Sequence, residues 1–215
     1  MAADLNTDRS KLSPYFVNAL INGERVEDHE FDSLLPENLE ELADVQFSRV
    51  RVARVVSSLL TDASSETSFV DLGSGVGKLC LLLALLTKFT ITGIERRPQL
   101  VQVAKKLCAA NLPEARVSIE QGDIFDYDWS RFDVLYLYNP FHEHIVTRDH
   151  LIDGNIRAGR SVYDGYVKEC FSRFANLHEH QRVITYHGFG GQMPVRFQLL
   201  GEERVGGGTV KMWGL

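Results

Sequence analysis

Cysteine is scarce in this chain. Cys80, Cys108 and Cys170 are the three among 215 residues, and they form neither a C-x-x-C pair nor a zinc-finger spacing. A disulfide framework and a zinc module are thereby set aside, and reduced core thiols are the expectation. Long apolar runs are lacking too. The longest, residues 79–86, is far shorter than the ~20 residues a bilayer-spanning helix needs; it reads as a buried helix, and no membrane partner is expected. Positive charge is not in excess: 23 Lys and Arg stand against 29 Asp and Glu, for a formal net charge of -6. A surface that grips phosphates without regard to sequence carries the opposite balance, so non-specific nucleic-acid binding is disfavoured. Residues 1–10 have no apolar stretch of the secretory kind, and a cytoplasmic location is expected. Internal repeats and low-complexity tracts are absent.

What is present suits one α/β domain: 44% hydrophobic and 24% charged residues can build a sizeable core under an ordinary soluble surface. Residues 1–36 are weakly patterned, punctuated by Pro14, Gly23 and Pro36, and read as an N-terminal extension. From 37 to 60 apolar residues recur three and four apart, which predicts a helix opening the domain 37–215. Arg49, Arg51 and Arg54 fall between the apolar positions and read as a solvated face. Strand and helix signals then alternate. Strands are expected at 68–72, 89–95, 116–121, 132–138 and 182–186, and helices at 76–87, 98–110 and 161–177. The last helix places Val162, Tyr166, Val167, Cys170, Phe171, Phe174 and Leu177 on one face. Two further strands, 197–203 and 209–213, flank Gly206-Gly207-Gly208 and read as a closing hairpin. Such alternation implies a mostly parallel seven-stranded sheet with helices on both faces and a C-terminal antiparallel hairpin. Ligands of such sheets lie at the carboxyl ends of the strands.

The strongest local signal is Val70-Asp71-Leu72-Gly73-Ser74-Gly75-Val76-Gly77-Lys78. A P-loop needs four residues between its first glycine and the Gly-Lys pair, then a hydroxyl residue; here there are three, and Leu79 holds the hydroxyl position. The dinucleotide fingerprint G-x-G-x-x-G is missed by one residue. Asp71, in the strand before the turn, would also oppose a pyrophosphate, whereas it suits a cationic ligand without phosphate. This Asp-x-Gly-x-Gly-x-Gly pattern resembles that of the class I S-adenosylmethionine-dependent methyltransferases, with their Rossmann-like sheet. The resemblance implies S-adenosylmethionine as cofactor, held by Asp71, Gly73, Ser74, Gly75 and Gly77. It further implies that Glu95, at the second strand's end and followed by Arg96, accepts the ribose hydroxyls, and that Asp123 and Ile124 meet the adenine. Three acids at successive strand ends make coincidence a poor account.

The fourth strand ends in Tyr138-Asn139-Pro140-Phe141. This resembles the Asn-Pro-Pro-Tyr/Phe loop of class I enzymes that methylate planar nitrogens, lacking one proline. The resemblance implies that Asn139 and a backbone carbonyl accept hydrogen bonds from the target nitrogen, that Pro140 shapes the turn, that Phe141 stacks on the acceptor, and that Tyr138 borders the cofactor. The plain alternative is a strand-ending turn capped by Asn139. The fifth strand ends in Thr185-Tyr186-His187-Gly188-Phe189-Gly190-Gly191, where Tyr186 or His187 is either a proton acceptor and substrate guide or a structural pair before a tight turn. Residues 31–215 are similar to a group of small bacterial class I members that share the Tyr-Asn-Pro-Phe turn. A looser likeness, over Val70 to Lys78 and the N-terminal helix, is to the class I lysine methyltransferases that act on histones; where they place a threonine turn that touches the cofactor, Gln46-Phe47-Ser48-Arg49-Val50 stands here, and the resemblance implies that Ser48 partly replaces the threonine. His142-Glu143-His144 lacks a third ligand, so no metal site is expected. The expected function is methyl transfer to a nitrogen of a protein side chain or small molecule, with RNA base methylation or a catalytically silent binding module as alternatives.

Overall fold

The computed structural model describes residues 10–36, 48–113, 116–141 and 159–215. Seven strands form one sheet: β1 (Ser68–Leu72), β2 (Thr90–Glu95), β3 (Val117–Gln121), β4 (Val134–Tyr138), β5 (Arg182–Tyr186), β6 (Gln198–Val205) and β7 (Gly208–Gly214). Their order is β3-β2-β1-β4-β5-β7-β6. The first five are parallel, β7 runs antiparallel to β5, and β6 pairs antiparallel with β7. The expected mostly parallel sheet with its closing hairpin is therefore present. Strand order reverses between β1 and β4, which opens a crevice at their carboxyl ends.

The helices are α1 (Pro14–Ile21), α2 (Asp28–Asp32), α3 (Val50–Leu59), α4 (Lys78–Leu86), α5 (Pro98–Asn111) and α6 (Arg160–Ala175). One core holds residues of α1 to α5 against Phe69, Ile91, Ile119, Tyr136 and Ile184 of the sheet; a second holds Cys170 and Phe174 of α6 against Val70, Leu72, Leu135 and Leu137. Alternate strand residues feed opposite faces, so both faces are apolar and both are covered. α4 is buried from Lys78 to Ala84, which explains its nearly unbroken leucine content. On α6 the expected apolar face holds at Cys170 and Phe174, but Phe171 is 47% exposed, because it follows Cys170 by one residue and turns about 100° away.

The weakly patterned N-terminus is not loose. Ser13 caps α1 by accepting the Phe16 N–H, with Pro14 in the first turn. Phe16, Ala19, Leu20 and Phe31 are buried in the first core, so 10–36 packs onto that core. The solvated-face reading of the arginines fails at Arg54. Its guanidinium donates to the carbonyls of Ala19, Leu20, Gly23 and Glu24, adding a side-chain donor to the carbonyls at the end of α1 and in the turn after it. Of the helix expected over 37–60, the described part is Val50–Leu59; 37–47 lie outside the described residues.

Candidate active site

The glycine turn closes the crevice on the β1 side. Gly73, Gly75 and Gly77 have φ of 93°, 55° and 72°, a region costly for residues with a side chain. The Gly73 and Ser74 amides both donate to the Ile94 carbonyl at 2.9 Å, pinning the turn to β2. Gly93 on β2 makes room for this: a Cβ there would lie 2.8 Å from the Ser74 Oγ and the Ile119 Cδ1, and 2.9 Å from the Cys80 Sγ. The Ser74 hydroxyl is buried without a hydrogen-bond partner.

Asp71 lies beside Gly93 and Tyr136 in the strand register. It is 4% exposed, and the Cys80 thiol donates to it at 3.6 Å. Burial pushes its carboxyl up to about 7, opposed by the thiol and reinforced by Glu95. No cation among the described residues pairs with it. Across β4, the Tyr136 hydroxyl is buried and bonded to Ser48 Oγ at 2.9 Å, which brings the start of α3 to the same face.

Glu95 ends β2 with its carboxylate buried. One oxygen accepts the Arg97 amide at 2.9 Å and Arg97 Nε at 2.8 Å; the other accepts the Gly75 amide at 3.0 Å and the second guanidinium nitrogen at 3.3 Å. Arg96 is exposed. Asp123 accepts the Phe125 amide at 3.0 Å and caps a 3-10 turn, Ile124–Asp126; Trp129 Nε1 donates to the Ile124 carbonyl at 2.8 Å.

Opposite the glycine turn lies the exit of β4. A Cβ on Gly73 would stand 3.9 Å from the Pro140 Cβ, so Pro140 is the side chain that faces the glycine turn there. Asn139 has φ of 37°, and its amide donates to the Gly188 carbonyl at 3.2 Å. His187, with φ of 61°, is the other non-glycine residue in the left-handed region among the described residues. Two such conformations at neighbouring strand exits store strain of the kind found at functional sites. Phe141 is buried, its ring stacked 5.2 Å from Tyr166 and 5.9 Å from Phe125. Tyr138 is half-buried and borders His187 at 5.7 Å and Tyr186 at 4.8 Å. The Tyr186 hydroxyl is committed to the Val205 carbonyl at 3.0 Å.

The structure thus places the expected site residues at the carboxyl ends of β1 to β5. Sequence reasoning missed Lys78, which is 3% exposed and paired with Asp28 at 2.8 Å and Asp32 at 2.9 Å. The two aspartates stand i, i+4 on α2, a spacing that puts them on one helix face. Asp28 also accepts the Val50 amide at 2.8 Å, so α2 ties the helix after the glycine turn to the start of α3. Arg97 was missed as well. No group of metal-ligating side chains occurs among the described residues, and His142, Glu143 and His144 lie outside them. No helix among the described residues is long and apolar enough to cross a membrane.

Residues 63–162 match the family described as "Methyltransferase domain". The chain is 30% identical over 96 residues to ajmaline N-methyltransferase of Rauvolfia serpentina, covering 44% of this chain and 33% of that protein. It is 26% identical over 106 residues to the tRNA1(Val) (adenine(37)-N6)-methyltransferase of Actinobacillus pleuropneumoniae, covering 47% of this chain and 45% of the relative. The matches thus span a third to under half of those relatives. The fold is shared with TrmN from Thermus thermophilus (TM-score 0.56, 15% identity, 82% of this chain and 52% of that one). It is shared also with the putative methyltransferase yhhF from Escherichia coli (TM-score 0.55, 14% identity, 76% and 84%). Strand order and the match over residues 63–162 make this chain similar to methyltransferase domains.

Proposed function

We propose that the protein transfers the methyl group of S-adenosylmethionine to a nitrogen held at the Asn139-Pro140-Phe141 turn. The observation that carries this reading is the position of Pro140, whose side chain faces the bare side of Gly73; it supports a cofactor turn and an acceptor turn on facing lips of one site. The residues present fit the cofactor. Gly73, Ser74, Gly75 and Gly77 leave backbone bare for close approach, and the unpartnered Ser74 hydroxyl is available to it. The unpaired Asp71 carboxyl suits a ligand bearing an ammonium and a sulfonium, since a buried charge is stable only when compensated. Glu95 is the ribose acceptor, while Asp123 and Ile124 border the adenine. When bound, the cofactor supplies an electrophilic methyl group on its sulfonium. The chain's own task is alignment: Asn139 accepts a hydrogen bond from the acceptor N–H and holds the nitrogen lone pair on the line of transfer, where orientation supplies much of the rate.

A protein side chain or a small molecule is the acceptor class favoured by the net charge of -6. The ajmaline enzyme, by its name, methylates a small-molecule nitrogen. The second reading, an RNA base, is favoured by the adenine-N6 enzyme among the relatives. Incubation with methyl-labelled S-adenosylmethionine and fractionated cell extract separates them. Label is expected in a protein or small-molecule fraction and to fall with Asn139→Ala. Label in RNA establishes the second reading. Cofactor binding by calorimetry with no labelled fraction identifies a silent binding module and overturns both.

A further inference from the structure

The Glu95 carboxylate is already saturated. A carboxylate offers about four lone-pair directions, and four donors meet it: the amides of Gly75 and Arg97 and two guanidinium nitrogens of Arg97. The two amides are fixed by the turn. The two side-chain donors place one hydrogen bond on each oxygen, Nε on one at 2.8 Å and the other nitrogen on its neighbour at 3.3 Å. A vicinal diol uses a carboxylate in the same way, one hydroxyl to each oxygen. The two cannot coexist on these lone pairs.

We infer that the Arg97 guanidinium is a built-in stand-in for the cofactor ribose, a specificity-determining residue that must leave Glu95 for a nucleoside diol to bind. The inference rests on the assignment of Glu95 as ribose acceptor. The Arg97 side chain is 15% exposed against 4% for Glu95, so the arginine is the more exposed member of the pair. Until displaced, it neutralises a buried carboxylate that neighbours the unpaired Asp71. Ligands that lack two free hydroxyls gain nothing that replaces the ion pair and are rejected. An Arg–carboxylate fork is geometrically specific, so the discrimination falls on the diol rather than on the base.

The test is binding of S-adenosylhomocysteine, adenosine and 2′,3′-dideoxyadenosine, by calorimetry, to the full chain, to Arg97→Ala and to Arg97→Lys. Thermal unfolding confirms that each variant is folded, and both keep the backbone amide that orients Glu95. Removing the competitor raises the binding-competent fraction. Arg97→Ala is expected to bind the two diol ligands roughly three- to tenfold more tightly than wild type, with no such gain for the dideoxynucleoside; Arg97→Lys falls between. Equal or weaker diol binding by Arg97→Ala, or a gain shared by the dideoxynucleoside, overturns the inference and leaves the cofactor reading intact. Failure of every form, wild type included, to bind S-adenosylhomocysteine overturns both together.

Discussion

Replacing Asp71 with asparagine should make the unliganded protein more stable above neutral pH while disabling its ligand site. The carboxyl is buried without a cation, and its affinity for a proton rises from the ordinary 3.8 to about 7. The native state therefore holds this proton more tightly than the unfolded chain does. Stability from that preference is full below pH ~4, declines as pH rises towards 7, and is lost above it. At about 1.4 kcal/mol for each pH unit between the two values, roughly 4 kcal/mol is at stake. Asparagine keeps the shape and removes the titration. Urea unfolding of both proteins at pH 5, 6, 7 and 8 should show a difference in favour of Asp71→Asn that grows with pH and levels off above 7. A variant less stable than wild type at pH 8, or a difference that ignores pH, refutes the reasoning. The same ionisation predicts a second reading. A cationic ligand holds Asp71 charged, so binding of S-adenosylmethionine to wild type near pH 7 should release a proton. Calorimetry in two buffers of unlike ionisation enthalpy detects that release, and Asp71→Asn should abolish it.

Three further outcomes follow from other contacts. Asn139→Ala should lower kcat by about 10- to 1,000-fold with S-adenosylhomocysteine affinity unchanged; Asn139→Gly, which relieves the φ of 37°, should be equally inactive yet at least as stable in thermal unfolding. Gly93→Ala should cost about 1–3 kcal/mol in urea unfolding, since its Cβ would lie under 3 Å from Ser74, Cys80 and Ile119, and cofactor affinity should fall with it; retained affinity shows that the turn tolerates the shift. Lys78→Met with Asp28 and Asp32 intact should be markedly less harmful than Asp28→Asn combined with Asp32→Asn, which strands a buried cation at a cost of about 3–5 kcal/mol, and the same unfolding series compares them.

The sheet was legible because its strands obey local rules. Residues 68–72 and 182–186 fall on β1 and β5 as expected, for apolar β-branched runs bounded by turns leave few alternatives. The acids at the exits of β1 to β3 were legible for a related reason: strand ends fix where a side chain emerges. The α1 and α2 helices were not. They have eight and five residues, and helices so short take their stability from docking rather than from their own pattern. Ser13 before Pro14 was a start signal that the segment's mixed composition obscured. Lys78 was hidden for the same cause, since its partners belong to α2, 46 residues away at Asp32. Arg97 was not legible because an arginine two residues from an acid reads the same in sequence whether it extends into solvent or, as here, folds back onto the carboxylate.

The hydrogen bond from the Asn139 amide to the Gly188 carbonyl fixes where this protein can be rebuilt. The segment beyond it leaves the β5 exit and returns through buried anchors, Phe189 and Phe197, with Val195 fully exposed between them. Exchanging residues 192–196 for a foreign loop keeps both anchors, the carbonyl that steadies Asn139, and Gly190 and Gly191, where a side chain would collide with Tyr163, Val167 and Phe189. The arc can then be varied without disturbing the Asn139 turn, whereas an exchange that reaches back to Phe189 or Gly188 removes an anchor or the turn that presents the carbonyl.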